Sequence, residues 1–203
     1  MTATAERPMG APASRPAGEA GRPAPDGGPD RPPTPIWALV ALGVLSSAAL
    51  AGACWVADHV HADPALQTVA RFLHLAALVV GLGSVLAVDW FALTWMLGRR
   101  RLSEVLHTAC ALQVPIWLGL AGLVVTGLFL RPNLASPLTL LKLGLVLAIT
   151  LNGLYAHWLG QRLRQCADVR VPRHLLLLSA MAATVSQLGW WGASLIGFLN
   201  SQS

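Results

Sequence analysis

Five apolar stretches, each long enough to cross a hydrocarbon layer, leave this chain little choice of solvent: residues 36–57, 72–97, 105–130, 138–159 and 174–199. At 1.5 Å per helical residue, about 20 residues span a core of ~30 Å. Each stretch suffices, and the longer ones imply tilt or overhang. Hydrophobic residues make up 55% of the 203, charged residues 11%, and the mean hydropathy is +0.59. A water-soluble domain of this length could not bury so much apolar side chain. The expected fold is an all-α, polytopic transmembrane bundle of five spans, with the lipid bilayer as its first partner.

Arginine placement predicts the orientation, because cytoplasmic loops keep basic residues and translocated loops shed them. Arg7, Arg15, Arg22 and Arg31 precede the first span, Arg99, Arg100 and Arg101 follow the second, and Arg162, Arg164, Arg170 and Arg173 follow the fourth. Only Arg71 and Arg131 fall on the other side. The N-terminus is expected inside and the C-terminus outside. The high isoelectric point, about 10.1, then reports topology, and no nucleic-acid partner is implied. Residues 1–35 hold nine of the fourteen prolines and little to bury, which predicts a disordered cytoplasmic tail. The span at 36–57 is expected to remain as an anchor, since a cleavable signal would place its apolar segment directly after a short basic region. Cys54, Cys110 and Cys166 are isolated, without CxxC spacing, and read as small buried hydrophobes.

Helices in lipid approach through small residues and interhelical hydrogen bonds. Gly189, Ala193 and Gly197 make one such stripe on the fifth span, and Ala49, Ala53 and Ala57 another on the first. They suit packing within the chain, a homodimer face or another membrane protein. Pro115 is expected to bend the third span. Trp37, Trp55, Trp90, Trp95, Trp117 and Trp158 mostly lie toward span ends, as headgroup-level anchors do.

The candidate functional residues are the polar ones inside the spans. Asp89 lies roughly 12 Å from the nearer end of its span, too deep for a short side chain to reach headgroups. Gln113 and Asn152 fall near the same depth, so the three are expected to form one polar layer. Asp89 serves there either as helix glue or as a proton or cation site. Nearer the opposite surface, His74, Thr126 and Lys142, the only lysine in the chain, form a second group, although a lysine stem can also snorkel from that depth. On a helical wheel His74, Gly81 and Asp89 fall within about 80° of one another. One inward face therefore carries both polar residues, with a glycine between them that admits a helix or a flat cofactor. A histidine on such a face suits haem or metal ligation, and His107 with His157 is an alternative pair of ligands. Outside the spans, His59 and His61, flanked by Asp58 and Asp63, would suit copper or zinc if the chain is extended. Asp63 followed by Pro64 reads independently as a helix N-cap with proline at the first helical position. No Walker loop, dinucleotide fingerprint or HExxH motif is present, which leaves ATP-driven transport by this chain alone, nicotinamide chemistry and metalloproteolysis without support.

The second to fifth spans also carry a resemblance. FLHLAALVVGLGSVLAVDW (72–90, with His74), LVVTGLFL (123–130, with Thr126 and Gly127) and LLKLGLVLAITLNG (140–153, with Lys142) resemble a broad group of four-helix bacterial membrane proteins. That group includes the copper-resistance D-type proteins and the membrane protoporphyrinogen oxidase that works without oxygen. The resemblance covers residues 72–197 and implies a bacterial inner-membrane location and haem b or a metal as cofactor. Functional roles carry over to His74 and Lys142. Together these readings predict a polar intramembrane site built from His74, Lys142, Asp89 and Thr126, serving a haem-linked or metal-linked role. The alternatives are a small transporter or proton-coupled permease using Asp89, or a non-catalytic assembly partner.

Overall fold

The computed structural model describes residues 34–59, 63–130, 133–165 and 171–200. The expected tail, apart from its last two residues, lies outside the described residues, as do His61, Arg131, Cys166 and Arg170. Among the described residues there are five α-helices and no strand: α1 (Ile36–His59), α2 (Pro64–Met96), α3 (Leu102–Leu128), α4 (Pro137–Gln165) and α5 (Arg173–Asn200). All five are long and apolar enough to cross a membrane.

Local signals set the helix ends. The Asp63 carboxylate accepts from the Leu66 amide at 2.7 Å, and Pro64 occupies the first turn, so α2 starts about two turns before its apolar run. It stops at a Schellman turn: Gly98 takes φ 71°, the Gly98 amide bonds the Trp95 carbonyl at 2.8 Å, and the Arg99 amide bonds the Thr94 carbonyl at 3.0 Å. Glycine adopts that left-handed backbone without a Cβ penalty. Glu104 in the first turn of α3 meets Arg100 at 3.1 Å. Arg162 and Arg164 lie in the last turn of α4, where the helix dipole favours cations.

Cross-helix contacts fix an up-and-down bundle. His74 near the start of α2 meets Thr126 near the end of α3, Thr34 just before α1 meets Gln161 near the end of α4, and Lys142 near the start of α4 meets Gly197 near the end of α5. The same end of the bundle therefore gathers Arg99, Arg100, Arg101, Arg162, Arg164 and Arg173, and is called the basic end below.

Two hairpins carry most of the packing, α2 with α3 and α4 with α5, while α1 lies against α4 and α3. The α2–α3 contact is backbone against backbone. A Cβ added to Gly119 would fall 2.5 Å from the Gly81 Cα and 2.8 Å from the Ala77 carbonyl oxygen. In α5, Gly189 receives Ile149, with 2.6 Å left for a Cβ, and Gly192 receives Leu145, with 3.0 Å left. The Gly189–Gly197 stripe is thus used inside the chain against α4. On α1 the expected alanine stripe is covered in part: Ala57 is buried and Ala53 half-buried, whereas Ala49 is exposed. A strict repeat of four drifts about 40° around the helix at each step, so one end of the stripe turns off the covered face.

Two apolar layers cross the bundle. Val85, Leu120, Ile149 and Trp190 form the central one, and Leu106, Leu159, Leu163 and Leu175 form one at the basic end. Large side chains such as Val79, Leu118 and Leu188 face outward, as expected where lipid is the solvent. The close contact predicts that Gly119→Ala lowers stability on the order of 1–3 kcal/mol. Gly144→Ala, with nothing within 4 Å of the new Cβ, leaves it unchanged or slightly raised. Thermal unfolding of both variants in detergent measures the contrast.

Candidate functional site: an intramembrane cavity

Between the two apolar layers lies a cavity of about 280 Å³, lined by all four helices of the two hairpins. Its polar lining includes Asp89 from α2, Gln113 from α3, Asn152 and His157 from α4, and Ser179 and Ser186 from α5. The void follows from the packing. Glycines draw α2 onto α3 and α4 onto α5, whereas the bulky Trp190, only 1% exposed, stands between the hairpins against Gly81, 2.7 Å from where a Cβ there would sit.

Asp89, Gln113 and Asn152 all line this cavity, as their depths suggest, but they do not bond one another, and Gln113 meets α4 at His157, five residues nearer the basic end than Asn152. The Gln187 amide donates to Asp89 Oδ2, and the Trp191 indole donates to Gln187 Oε1 at 2.9 Å. An indole N–H can only donate, so Trp191 fixes which end of the Gln187 amide faces the carboxylate. Asn152 Nδ2 donates to the Ala182 carbonyl at 2.8 Å. Depth along a helix sets the level of a side chain and leaves its bearing about the axis open, which is why the partners differ.

Gln113 belongs to a third chain of bonds. The Thr34 amide and hydroxyl both donate to Gln161 Oε1, at 2.9 and 3.0 Å. Gln161 Nε2 therefore donates to His157 Nε2, at 3.0 Å, and neutral His157 carries its proton on Nδ1. Nδ1 faces the Gln113 amide at 2.6 Å. That separation is shorter than either N–H···N or N–H···O bonds usually run, so the distance does not tell the two ends of the amide apart. Amide ends are assigned by their bonding network, and here the network places the Gln113 oxygen on His157 and its NH2 on the other side. Donation runs one way, from Thr34 toward the cavity.

Among the described residues, Trp190 Nε1 is the one fully buried side-chain nitrogen or oxygen without a partner. The second polar ends of Asp89, Asn152 and Gln113, which make no further bond, therefore touch open space.

His74 and Lys142 do not line this cavity. They lie beyond the Trp190 layer, some 22 Å along α2 in the case of His74 relative to Asp89. Thr126 gives its single proton to the Gly122 carbonyl at 2.6 Å, so the 2.8 Å contact with His74 Nδ1 is donated by the imidazole. Lys142 stands beside Gly197, its Nζ 3.8 Å from where a Cβ would be, within electrostatic reach of His74. The expected outer group of His74, Thr126 and Lys142 does assemble, separate from Asp89. The place that Gly81 offers to a flat cofactor is taken by the Trp190 indole, so the residues around it do not fit a haem. The alternative pair also fails to form: both ring nitrogens of His157 engage glutamines, and His107 is exposed beside Glu104 and Arg100.

His59 ends α1 inside the helix, its Nδ1 2.8 Å from the Trp55 carbonyl, not in an extended chain, and Asp63 is engaged as the α2 cap. No group of three or more His, Cys, Asp or Glu able to hold a metal occurs among the described residues. Cys54 is partly buried and Cys110 exposed, both free, which departs from the expectation of buried small hydrophobes.

No protein-family model, curated protein or solved structure matches this chain. Gln187, Gln161 and Trp190 are the site residues that sequence reasoning missed. Gln187 carries the signal that singled out Gln113 and Asn152, an amide within an apolar run. The hydrogen-bond polarity predicts that both His74 and His157 hold their proton on Nδ1 at neutral pH. Side-chain ¹⁵N shifts of the labelled protein test this, and an Nε2–H signature at His157 would overturn the assigned direction.

Proposed function

We propose that the chain is a small permease in which Asp89 carries a proton or a small cation across a bacterial plasma membrane. The observation that carries this reading is the cavity itself: an intramembrane void with Asp89 as its carboxylate, one oxygen held by Gln187 and the other open. A charged side chain at the centre of a bilayer costs several kcal/mol, with estimates beginning at about 2.5–3.5 kcal/mol. The carboxylate is therefore stable there when a proton or a cation neutralises it. One site that takes either ligand exchanges one for the other, the elementary requirement of proton-coupled transport. The Trp190 layer separates the cavity from the His74 end, and the weak seam between the hairpins supports their rocking about that layer as the transport motion. A haem-linked role, implied by the resemblance, lacks comparable support because Trp190 covers Gly81.

Proteoliposomes holding the full chain and a proton gradient test the reading. Addition of methylammonium, sodium or potassium outside should change the internal pH, and Asp89→Asn, which preserves the acceptor for Gln187, should reduce that flux at least about tenfold, the loss of a 1.4 kcal/mol coupling or more. Equal flux in the variant sinks it. The basic end belongs on the cytoplasmic side in this proposal. Reporters fused after Ser203 should then be active only when they function outside, and an inside-active fusion would reverse the orientation.

A further inference from the structure

Hydrogen-bond direction maps the cavity in more detail than its residue types do. Beside the Ser179 and Ser186 hydroxyls and the Arg164 guanidinium, three amide and carboxylate ends are left open, and their characters are fixed by bonds made elsewhere. Asp89 presents Oδ1, because Gln187 holds Oδ2. Asn152 presents its oxygen, because Nδ2 is spent on the Ala182 carbonyl. Gln113 presents its NH2, because the one-way chain from the Thr34 backbone amide consumes its oxygen on His157. A backbone N–H cannot reverse its role, so turning Gln113 around would undo the bonds of His157, Gln161 and Thr34 in succession. The site is thus an acid pole with two acceptors and, on another helix, a locked donor.

The walls around these ends are apolar, from Val85, Ile116, Leu120 and Ile149, with the Trp117 ring among them. At ~30 Å³ per water the void equals about nine waters, room for a short molecule and not for a macrocycle. A divalent metal is a poor match, since six or more oxygen ligands are its habit and the open ends supply two.

The geometry points to a small aliphatic amine bearing a hydrogen-bond acceptor, an amino ether or amino alcohol, as the ligand of the Asp89 cavity: its ammonium meets Asp89 and Asn152, and its oxygen accepts from the Gln113 NH2. This identification rests on the permease reading and narrows it to a ligand class. A diamine of similar length is disfavoured, because its second ammonium would face a donor that cannot turn. Cation–π attraction to Trp117 adds to the amine preference.

Calorimetric titration of the full chain in detergent tests the class with three probes of similar length: 3-methoxypropylamine, pentylamine and butane-1,4-diamine. The ether should bind about fivefold more tightly than pentylamine, the ratio that one net hydrogen bond supplies, and the diamine should bind more weakly than the ether. Gln113→Leu should bring the ether-to-pentylamine ratio to about one. Gln161→Met, which leaves Gln113 in place but releases the lock, should narrow the ether-to-diamine difference, and it serves if Gln113→Leu does not fold. Equal binding of ether and pentylamine by the unaltered protein, or no binding of any probe, overturns the ligand class. The two failures separate cleanly: the permease reading survives either result if cation-driven flux remains sensitive to Asp89→Asn, and falls only if that flux is indifferent to the substitution.

Discussion

The approach of α2 to α3 at Gly81 and Gly119 is the contact on which the rest of the architecture hangs. Backbones this close exclude any side chain from the seam, so the volume that ordinarily separates two helices moves to the other side of the pair. Trp190 takes part of it, pressed against Gly81 and buried more fully than any other large side chain described. The remainder is void. In water such a void would be closed by the hydrophobic effect, but between helices in lipid that force has little to act on. What resists collapse is the pair of apolar layers above and below, and the gap between them carries a few polar groups on apolar walls.

Asp89, Asn152, Gln113 and His157 are each held by a group on another helix or in the last turns of their own, and these donors and acceptors are arranged without conflict. Gln187 faces Asp89 with nitrogen because Trp191 claims its oxygen. His157 faces Gln113 with a proton because Gln161 supplies one to its other nitrogen. Such ordering matters more in hydrocarbon than in water, since no solvent is at hand to mend a mismatched pair. It also ties the segment before α1 to the site, because Thr34 is the first donor of the chain that ends at Gln113.

Most helix ends were legible to within a few residues, because span length and the Asp63–Pro64 start are local signals, whereas the stop at Gly98 and the last turns of α4 were not. That the intramembrane polar residues gather was legible too: Asp89, Gln113 and Asn152 do line one cavity. Their partners were not, since hydrogen bonding depends on which helices become neighbours, and five similar apolar spans leave that to packing. Gly81 illustrates the limit. Its role as a point of close approach could be read from the helical wheel, but that the flat group laid against it would be Trp190, from a span 109 positions further along the chain, could not. Gly189, part of the stripe on α5, was readable as a contact, whereas the role of Trp190 beside it depends on which helix packs against that face.

The unpaired indole of Trp190 completes the physical picture. In a soluble protein an orphaned buried donor costs about 1–3 kcal/mol because the unfolded chain bonds water instead. A membrane helix has a different reference state: an isolated α5 would leave the same N–H in hydrocarbon, where acceptors are equally scarce. The donor loses little by being sealed between Val85, Leu120 and Ile149, while its ring gains dense packing against Gly81. A tryptophan is therefore an inexpensive plug here, and it divides the His74–Lys142 group from the Asp89 cavity with a layer that offers no open polar atom to a crossing ion. Passage between the two polar levels then requires relative movement of the hairpins, which touch one another far less than the helices within each hairpin do, and the cavity lies between them.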